Sequence, residues 1–334
     1  MISCPACGGL DAIARFSVTA HEAAQHFALA EGECLRHDKL EDCIRSLWDQ
    51  SSCDIVECST CQLRFAWPFI GGDSEFYNLA YPNHIYPESR WEFSKTVDIL
   101  EKRDVKGGKL LEIGSGSGYF LDRISPRFID RSNVVAAEYD NDACSSLRRK
   151  GFDVLQRDIR SGDFDKFEGV FSYIVMFQVL EHMDFLNQLA ARLRFLGDKG
   201  AELFVAVPNR DWIEFNEQHD SLLDMPPNHI SCWTEKAFRA FGERAGYRVE
   251  EFQFEPMSWL SFIKQDITFS YMRRAQRHGS VENFIRAKRR TRLRRMEEAA
   301  YGLCTSPRRF GAWIAAATGR RPLGGSVWVH LQRD

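Results

Sequence analysis

The 334-residue sequence predicts an α/β domain built on a mostly parallel sheet with helices on both faces. Short apolar segments alternate with amphipathic segments of roughly ten to fifteen residues, which is typical of right-handed βαβ units. A glycine-rich segment directly follows the first apolar segment of this series, and a long polar insertion precedes the last one. We therefore expect a doubly covered sheet with one added strand.

The strands of this sheet are expected at 109–113, 134–138, 152–155, 171–176, 202–207, 247–254 and 326–331. The last segment alternates, with Val327, Val329 and Leu331 on one face and Trp328 and His330 on the other. This pattern predicts an antiparallel strand at the edge of the sheet.

Five segments are expected along the chain. They are a cysteine-rich module with a helical insert (1–66), an aromatic linker and helix (67–105), the α/β core (106–256), a basic helical insertion (257–322) and the final core strand (323–334). In the first module, strands are expected at 12–18 and 55–56, with helices at 21–27 and 40–48.

The composition excludes several classes of protein. The formal net charge of −3 gives no overall sign of nucleic-acid binding. No apolar run of about 18 residues predicts a membrane span, and residues 1–7 do not resemble a secretory signal. The ten cysteines are therefore expected to be reduced, in a cytoplasmic protein. The oligomeric state is not indicated.

The glycine-rich segment 112–118, EIGSGSG, lies between a predicted strand and a predicted helix. Glycines at such a turn let backbone amides approach a ligand without an intervening Cβ. A nicotinamide fingerprint would require glycine at position 119, where the chain has Tyr119. Glu112, two residues before the first glycine, suits a cofactor that carries an ammonium group and no pyrophosphate.

Residues 110–121 resemble motif I of the class I methyltransferases, and the similarity extends over 106–256. The resemblance implies S-adenosyl-L-methionine as the cofactor. The implied contacts are Glu112, Gly114, Ser115, Gly116 and Gly118 along its methionine part, Glu138 with both ribose hydroxyls, Tyr139, Asp158 and Ile159 around the adenine, and Phe177 and Gln178 near the sulfur.

Two Cys-x-x-Cys pairs mark the first module: Cys4 with Cys7, and Cys58 with Cys61. Two residues between cysteines let both sulfurs face one ion, and four thiolates suit tetrahedral Zn²⁺. The module resembles the zinc-ribbon-like module that precedes many bacterial class I methyltransferases. Residues 63–68 match the segment in which the chain leaves that module.

This module departs from the usual pattern at Gln62, where such turns often carry glycine. Cys53 is a rival ligand, while Cys34 and Cys43 are expected to be buried thiols.

Candidate catalytic groups follow the fourth predicted core strand, because polar residues at the carboxyl ends of such strands border the ligand crevice. Glu181 and His182 lie there, and His229 lies in the loop 226–234, PPNHISCWT. This loop resembles the Pro-Pro-x-His…Trp-Thr segment of small-molecule class I methyltransferases. The histidines are candidate bases. The alternatives are that Glu181 and His182 only help to pack the fold and that His229 only anchors Trp233.

The same residues also resemble the small-RNA 2′-O-methyltransferases, which bind magnesium through E-x-x-E-H and a later histidine. Here Gln178 stands in place of the first carboxylate, which argues against a hard divalent cation.

The sequence favours methyl transfer to an oxygen of a small-molecule or glycan-like acceptor. No Asn/Asp-Pro-Pro-Tyr motif follows the fourth strand, which argues against methylation of the amino groups of adenine or glutamine. The rivals are an RNA-modifying methyltransferase of the 2′-O type and a non-catalytic, cofactor-binding scaffold. The basic segment 273–309 fits a solvated helix, an anionic acceptor or nucleic acid. In the aromatic linker, Tyr86 and Trp91 either line the site or pack between modules.

Overall fold

The computed structural model describes residues 2–28, 33–82, 86–103, 105, 107–125, 127–218, 225–276, 291–318 and 324–334. The strands are β1 (Ala12–Thr19), β2 (Ser52–Cys58), β3 (Arg64–Trp67), β4 (Leu110–Ile113), β5 (Val134–Ala137), β6 (Asp153–Leu155), β7 (Phe171–Phe177), β8 (Gly197–Pro208), β9 (Ser231–Cys232), β10 (Tyr247–Phe254) and β11 (Ser326–Arg333).

The helices are α1 (Ala20–Phe27), α2 (Cys34–Trp48), α3 (Ser74–Ala80), α4 (Trp91–Leu100), α5 (Tyr119–Ile124), α6 (Asn141–Arg149), α7 (Leu186–Leu196), α8 (Arg210–Gln218), α9 (Glu235–Ala245), α10 (Trp259–Gln276) and α11 (Thr291–Ala317). No helix within the described ranges is long and apolar enough to cross a membrane.

The large sheet has seven strands in the order β10-β11-β8-β7-β4-β5-β6. Strands β4 to β8 pair in parallel, whereas β11 is antiparallel to both β8 and β10. The predicted strand series and the antiparallel last strand are thus confirmed. The α10–α11 segment lies between β10 and β11 in the chain, as expected for an insertion.

The expectation that the last strand lies at the edge was wrong, because β11 is inserted between β8 and β10. Its alternating side chains enter two apolar layers, one on each face of the sheet, and neither face is exposed to solvent. Val327, Val329 and Leu331 join one layer, and Trp328 joins the other. His330 is also buried and stacks on Phe204, with 4.9 Å between ring centroids.

Helices cover both faces of the large sheet. On one face, α7 and α9 pack through leucine, alanine and phenylalanine side chains. On the other face, α4, α5 and α6 pack around Phe93, Phe120 and Leu147. Successive residues of the central strands alternate between these layers, which explains why the strands read as continuous apolar segments.

The small sheet has the order β1-β2-β3-β9, with every pair antiparallel. Helices α1 and α2 lie between β1 and β2, as the helical insert predicted. The fourth strand, β9, comes from the core segment that follows β8, and it was not predicted because it is two residues long. This strand joins the two sheets.

The α10–α11 pair packs against α8 through Trp212, Phe215, Phe262 and Trp313. Buried Asp266 accepts hydrogen bonds from Arg309 at 2.5 Å and from the Trp313 indole at 3.0 Å. Of the basic segment 273–309, the part with Arg277, Arg286, Lys288, Arg289 and Arg290 lies outside the described residues.

We predict that Phe204→Ala lowers the free energy of unfolding by about 3–5 kcal/mol, because Phe204 is fully buried and stacks on both Trp328 and His330. The control, Phe310→Ala, removes a side chain that is 58% exposed on α11 and should change stability by less than about 0.5 kcal/mol. Urea unfolding measures both. Equal losses would contradict the packing described here.

Candidate active site

The glycine loop follows β4 and leads into α5. Gly114, Gly116 and Gly118 all have positive φ, at 72°, 51° and 78°. A Cβ at Gly114 would lie 2.3 Å from Val179 Cγ2, and one at Gly118 would lie 2.5 Å from Leu147 Cδ2. Conformation and space both require glycine, so the loop is a backbone surface held against its neighbours.

Tyr86 lies against this loop. A Cβ at Gly116 would be 2.6 Å from Tyr86 Cδ1, so the ring sits directly on the glycine backbone. Trp91, by contrast, packs against the apolar layer that contains Phe93 and Phe120. Of the two linker aromatics, Tyr86 is therefore the one that borders the candidate site.

Glu112, the last acidic residue before the loop, is buried within β4. Its Oε2 atom has no hydrogen-bond partner among the described residues. Burial raises the pKa of Glu112 well above its ordinary value, and the charge of nearby Glu138 raises it further. A cationic group beside this carboxylate would relieve both penalties, which fits the ammonium group of the expected cofactor.

Glu138 ties the loop to the end of β5. Its Oε2 accepts from the Gly116 amide at 2.6 Å, and its Oε1 accepts from the amides of Tyr139 at 2.7 Å and Asp140 at 3.0 Å. A carboxylate offers about four lone-pair sites, so these bonds leave about one for a further donor. If both ribose hydroxyls are to donate to Glu138, one of these three backbone amides must give up its hydrogen bond to the carboxylate.

The predicted adenine contacts follow two neighbouring strands, Tyr139 after β5 and Asp158 and Ile159 after β6. Tyr139 is 62% exposed, and buried Ile159 follows Asp158. Arg160, which the sequence analysis did not single out, binds Asp158 through Nε at 2.8 Å and Nη2 at 2.5 Å. Burial opposes ionisation of Asp158, but the bonds from Arg160 lower its pKa overall.

The side chains of Phe177 and Gln178, at the end of β7, have different surroundings. The Phe177 ring is buried in the core, 5.0 Å from Phe120 between ring centroids. The Gln178 amide nitrogen donates to Glu92 Oε1 at 3.1 Å and to Ser326 Oγ at 3.3 Å. Gln178 therefore connects α4, β7 and β11, and burial raises the pKa of its partner Glu92.

Glu181, His182 and His229 come together, although 47 positions separate the two histidines in the chain. One ligand atom from each residue lies within 4.8 Å of the others. The two imidazole rings meet edge to face, with 4.7 Å between centroids, and His182 Nε2 lies 3.7 Å from Glu181 Oε1. The sequence-predicted catalytic candidates thus form one cluster.

Backbone contacts hold this cluster in place. The Ile230 amide donates to the Glu181 carbonyl at 2.8 Å, and His182 Nδ1 lies 2.7 Å from the Asn228 carbonyl oxygen. The Tyr77 hydroxyl lies 3.1 Å from the same nitrogen. Neither Tyr77 nor Asn228 was proposed from the sequence. The position of Asn228 beside His229 could have indicated it, whereas no local signal marks Tyr77.

The four paired cysteines also converge. The sulfurs of Cys4 and Cys61 lie 3.5 Å apart, as do those of Cys7 and Cys58, and all four lie within 4.8 Å of one another. The Gly9 amide donates to the Cys7 sulfur at 3.3 Å. The contact with Cys61 lowers the pKa of Cys4 to about 5, although burial opposes this.

The remaining cysteines of the first module differ partly from expectation. Cys53 belongs to the separate apolar cluster around Ile44 and Trp48, so it is not one of the grouped thiols. Cys43 is buried as predicted, but the prediction for Cys34 was wrong, because it begins α2 with its side chain exposed.

The cysteine cluster contacts the core through α9. The Thr234 hydroxyl donates to the Cys61 carbonyl at 3.0 Å while its oxygen also caps α9. Arg244, near the other end of α9, donates to the carbonyls of Pro5 at 2.9 Å and Ala6 at 2.7 Å. Both Cys-x-x-Cys turns are therefore fixed to the same core helix.

Comparison with known proteins gives one family match. Residues 89–251 match a family model described as a methyltransferase domain. The matched residues contain the glycine loop, Glu138, Asp158 and the Glu181–His182 pair. No curated protein sequence matches the chain.

Similar solved structures include a SAM dependent methyltransferase from Archaeoglobus fulgidus, which is 14% identical, with 72% of this chain and 92% of that chain covered and a TM-score of 0.44. The YcgJ protein from Bacillus subtilis is 13% identical, with 72% and 97% covered and a TM-score of 0.44. A geranyl diphosphate C-methyltransferase from Streptomyces coelicolor A3(2) is 11% identical, with 72% and 78% covered and a TM-score of 0.40.

We predict that Gly116→Ala weakens S-adenosylmethionine binding at least about tenfold, because its Cβ would push apart Tyr86 and the loop backbone. The matched control is Gly151→Ala, which has φ +84° but open space around the Cβ position. Each substitution strains the backbone by roughly 1–2 kcal/mol, so the Gly151 variant reproduces the backbone strain without the clash against Tyr86. Calorimetric affinities that fall equally in both variants would contradict a role for the loop surface.

Proposed function

We propose that this chain, an S-adenosylmethionine-dependent methyltransferase whose residues 89–251 match the methyltransferase-domain model, methylates an oxygen of a small or glycan-like acceptor. The proposed base is His182. The observation that carries this proposal is the convergence of Glu181, His182 and His229 at the carboxyl end of β7. In open α/β sheets, ligands bind at this end of the strands.

The hydrogen bonds of His182 support its role as a base. A carbonyl oxygen can only accept, so the contact with Asn228 places the proton of a neutral imidazole on Nδ1. Nε2 then carries the lone pair that can take a proton. The Glu181 carboxylate, 3.7 Å from Nε2, would stabilise the imidazolium that results.

The need for a base favours an oxygen acceptor. A hydroxyl group becomes a strong nucleophile only as its proton leaves, whereas a neutral amine already presents a lone pair. A histidine poised beside a carboxylate is therefore most useful for an acceptor that must lose a proton during the transfer.

The proposed cofactor contacts use the loop and the ends of β4, β5 and β7. We propose that Glu112 faces the ammonium group, with Gly114, Ser115, Gly116 and Gly118 along the methionine part, Glu138 at the ribose, Tyr139, Asp158 and Ile159 around the adenine, and Phe177 and Gln178 near the sulfur. Bound S-adenosylmethionine supplies a methyl group activated by a sulfonium centre. The unpartnered Oε2 of Glu112 and the glycine surface under Tyr86 fit such a ligand.

A small acceptor is favoured over RNA by the surroundings of His229. This side chain lines a cleft with mainly apolar walls, which include Phe65 and Met225. Among the described residues that line the cleft, the cation is Arg64, and both carboxylate oxygens of Glu217 hold it at 2.8 Å. The cleft therefore offers little to attract a phosphate backbone.

We predict that His182→Ala lowers kcat roughly 10²- to 10⁴-fold, because it removes the proposed base, while leaving the affinity for S-adenosylmethionine unchanged. His26→Ala, on α1 and outside the cluster, is the control. The assay follows labelled methyl transfer from S-adenosylmethionine into small-molecule and RNA fractions of a cell extract, and calorimetry measures the affinity.

Three results would contradict the proposal. Label that appears in the RNA fraction and is lost on ribonuclease treatment would favour an RNA substrate. Undiminished transfer by His182→Ala would exclude the proposed base. Tight cofactor binding with no transfer into any fraction would favour a non-catalytic scaffold.

We also propose that Cys4, Cys7, Cys58 and Cys61 hold one structural Zn²⁺. Tetrahedral Zn–S bonds of about 2.3 Å place sulfurs about 3.8 Å apart, close to the two 3.5 Å separations seen here. The Gly9 amide that donates to the Cys7 sulfur is the kind of backbone hydrogen bond that supports a metal-bound thiolate. The ion would join the amino terminus to the β2–β3 turn.

We predict that Cys58→Ser loses one equivalent of zinc per chain and lowers the melting temperature, because one ligand of the shared site is removed. The control is Cys34→Ser, an exposed thiol outside the cluster, which should retain wild-type zinc and stability. Elemental analysis of the purified chains and thermal unfolding measure the two effects. Wild-type zinc content in Cys58→Ser would rule out this ligand set.

A further inference from the structure

We propose that His21, His37 and Glu41 form a second transition-metal site, separate from the cysteine cluster and from the catalytic cluster. The three residues lie on α1 and α2, the helices inserted between β1 and β2. One ligand atom from each lies within 4.8 Å of the others. The site goes beyond the proposed methyl transfer and does not depend on it.

The helices place the three side chains on facing surfaces. His37 and Glu41 are four residues apart on α2, so both side chains lie on the same side of that helix. His21, in the first turn of α1, comes from the opposite side. Its Nδ1 lies 2.9 Å from Glu41 Oε2, and its ring meets that of His37 edge to face with 4.6 Å between centroids.

His37 is the residue that points to a missing ligand. Its side chain is only 1% exposed, and neither ring nitrogen has a hydrogen-bond partner among the described residues. His37 Nδ1 lies 3.5 Å from Asp38 Oδ1, which is long for a hydrogen bond, and the Asp38 side chain is 71% exposed. Buried polar groups are nearly always paired, so an imidazole without a partner beside a second histidine and a carboxylate calls for a ligand.

The donor set determines which metals fit. Two imidazole nitrogens and one carboxylate oxygen suit Zn²⁺ and similar borderline divalent ions, whereas Ca²⁺ and Mg²⁺ prefer oxygen ligands throughout. Three protein ligands also leave a position for water. A metal would thus satisfy His37 and add a charge that complements Glu41.

The hydrogen bonds of His21 allow the tautomer that a metal ion would require. The Gln25 amide nitrogen lies 3.1 Å from His21 Nε2, so in the metal-free arrangement Nε2 accepts and Nδ1–H donates to Glu41. When a metal takes Nδ1, that proton leaves and Nε2 becomes the protonated nitrogen. Rotation of the Gln25 amide then presents its oxygen as the acceptor.

Glu41 keeps a second contact throughout. Its Oε1 lies 2.5 Å from an Arg45 nitrogen one turn further along α2, so Oε2 is the oxygen directed at His21. The bound ion would replace a proton between α1 and α2 and would tie the two helices together. We therefore expect the metal to stabilise this insert rather than to take part in methyl transfer.

The test compares full-length chains that are stripped of metal and reloaded with Zn²⁺. His21→Ala and Glu41→Gln change side chains at least partly accessible to solvent, so both variants should fold. Each is expected to take up one equivalent of zinc less than the wild type by elemental analysis. Asp42→Asn, an exposed neighbour on α2, is the control and should match the wild type.

Two further readouts separate this site from the cysteine cluster. With Co²⁺ alone, the difference spectrum between wild type and His21→Ala should lack a thiolate-to-cobalt charge-transfer band, because the site contains no sulfur ligand. Added Zn²⁺ should also raise the melting temperature of stripped wild type by more than that of His21→Ala. Equal zinc content in wild type, His21→Ala and Glu41→Gln, or a thiolate band in the difference spectrum, would overturn the proposal.

Discussion

The pairing of β3 with β9 is the contact on which the arrangement of the Glu181, His182 and His229 cluster depends. Phe65 pairs with Ser231, and the Ala66 amide donates to the Ile230 carbonyl at 2.9 Å. The loop with His229 is thereby made part of the small sheet, whose next strand, β2, ends at Cys58. The same loop binds the Glu181–His182 turn through the Ile230 amide and the Asn228 carbonyl. The cysteine module thus positions one wall of the site.

A second constraint is the group of buried carboxyl side chains near the carboxyl edge of the large sheet. Glu92, Glu112 and Glu138 are all buried there, and burial raises the pKa of Glu92 and Glu112. Glu138 is stabilised by three backbone amides, whereas Glu112 has an oxygen without a described partner. A cationic ligand lowers the cost of this arrangement most at Glu112. The electrostatics of the loop therefore favour a positively charged cofactor over a pyrophosphate.

Much of this organisation could be predicted from local sequence. The strand series, the glycine loop and the paired cysteines are short-range patterns, and the convergence of Glu181, His182 and His229 follows from strand order. The position of β11 could not be predicted, because the alternating pattern is the same whether a strand lies at the edge of the sheet or between two other strands. Tyr77 and Arg160 were missed because their roles depend on contacts with His182 and Asp158 that only the fold creates.

Backbone conformation at Gln62 and Gln178 shows where local patterns stop being informative. Both residues have positive φ, 63° and 57°, where glycine is usual. Gln62 follows the second cysteine pair as Gly8 follows the first, so its strain is imposed by the turn around the thiols. Gln178 turns the chain out of β7. Its backbone amide donates a hydrogen bond to the Ala206 carbonyl at 2.7 Å, and its side chain donates hydrogen bonds to Glu92 in α4 and Ser326 in β11. Strain of this kind persists only where surrounding contacts fix it. These contacts direct the following turn, which contains Glu181 and His182, toward the loop that contains His229 and leads into β9.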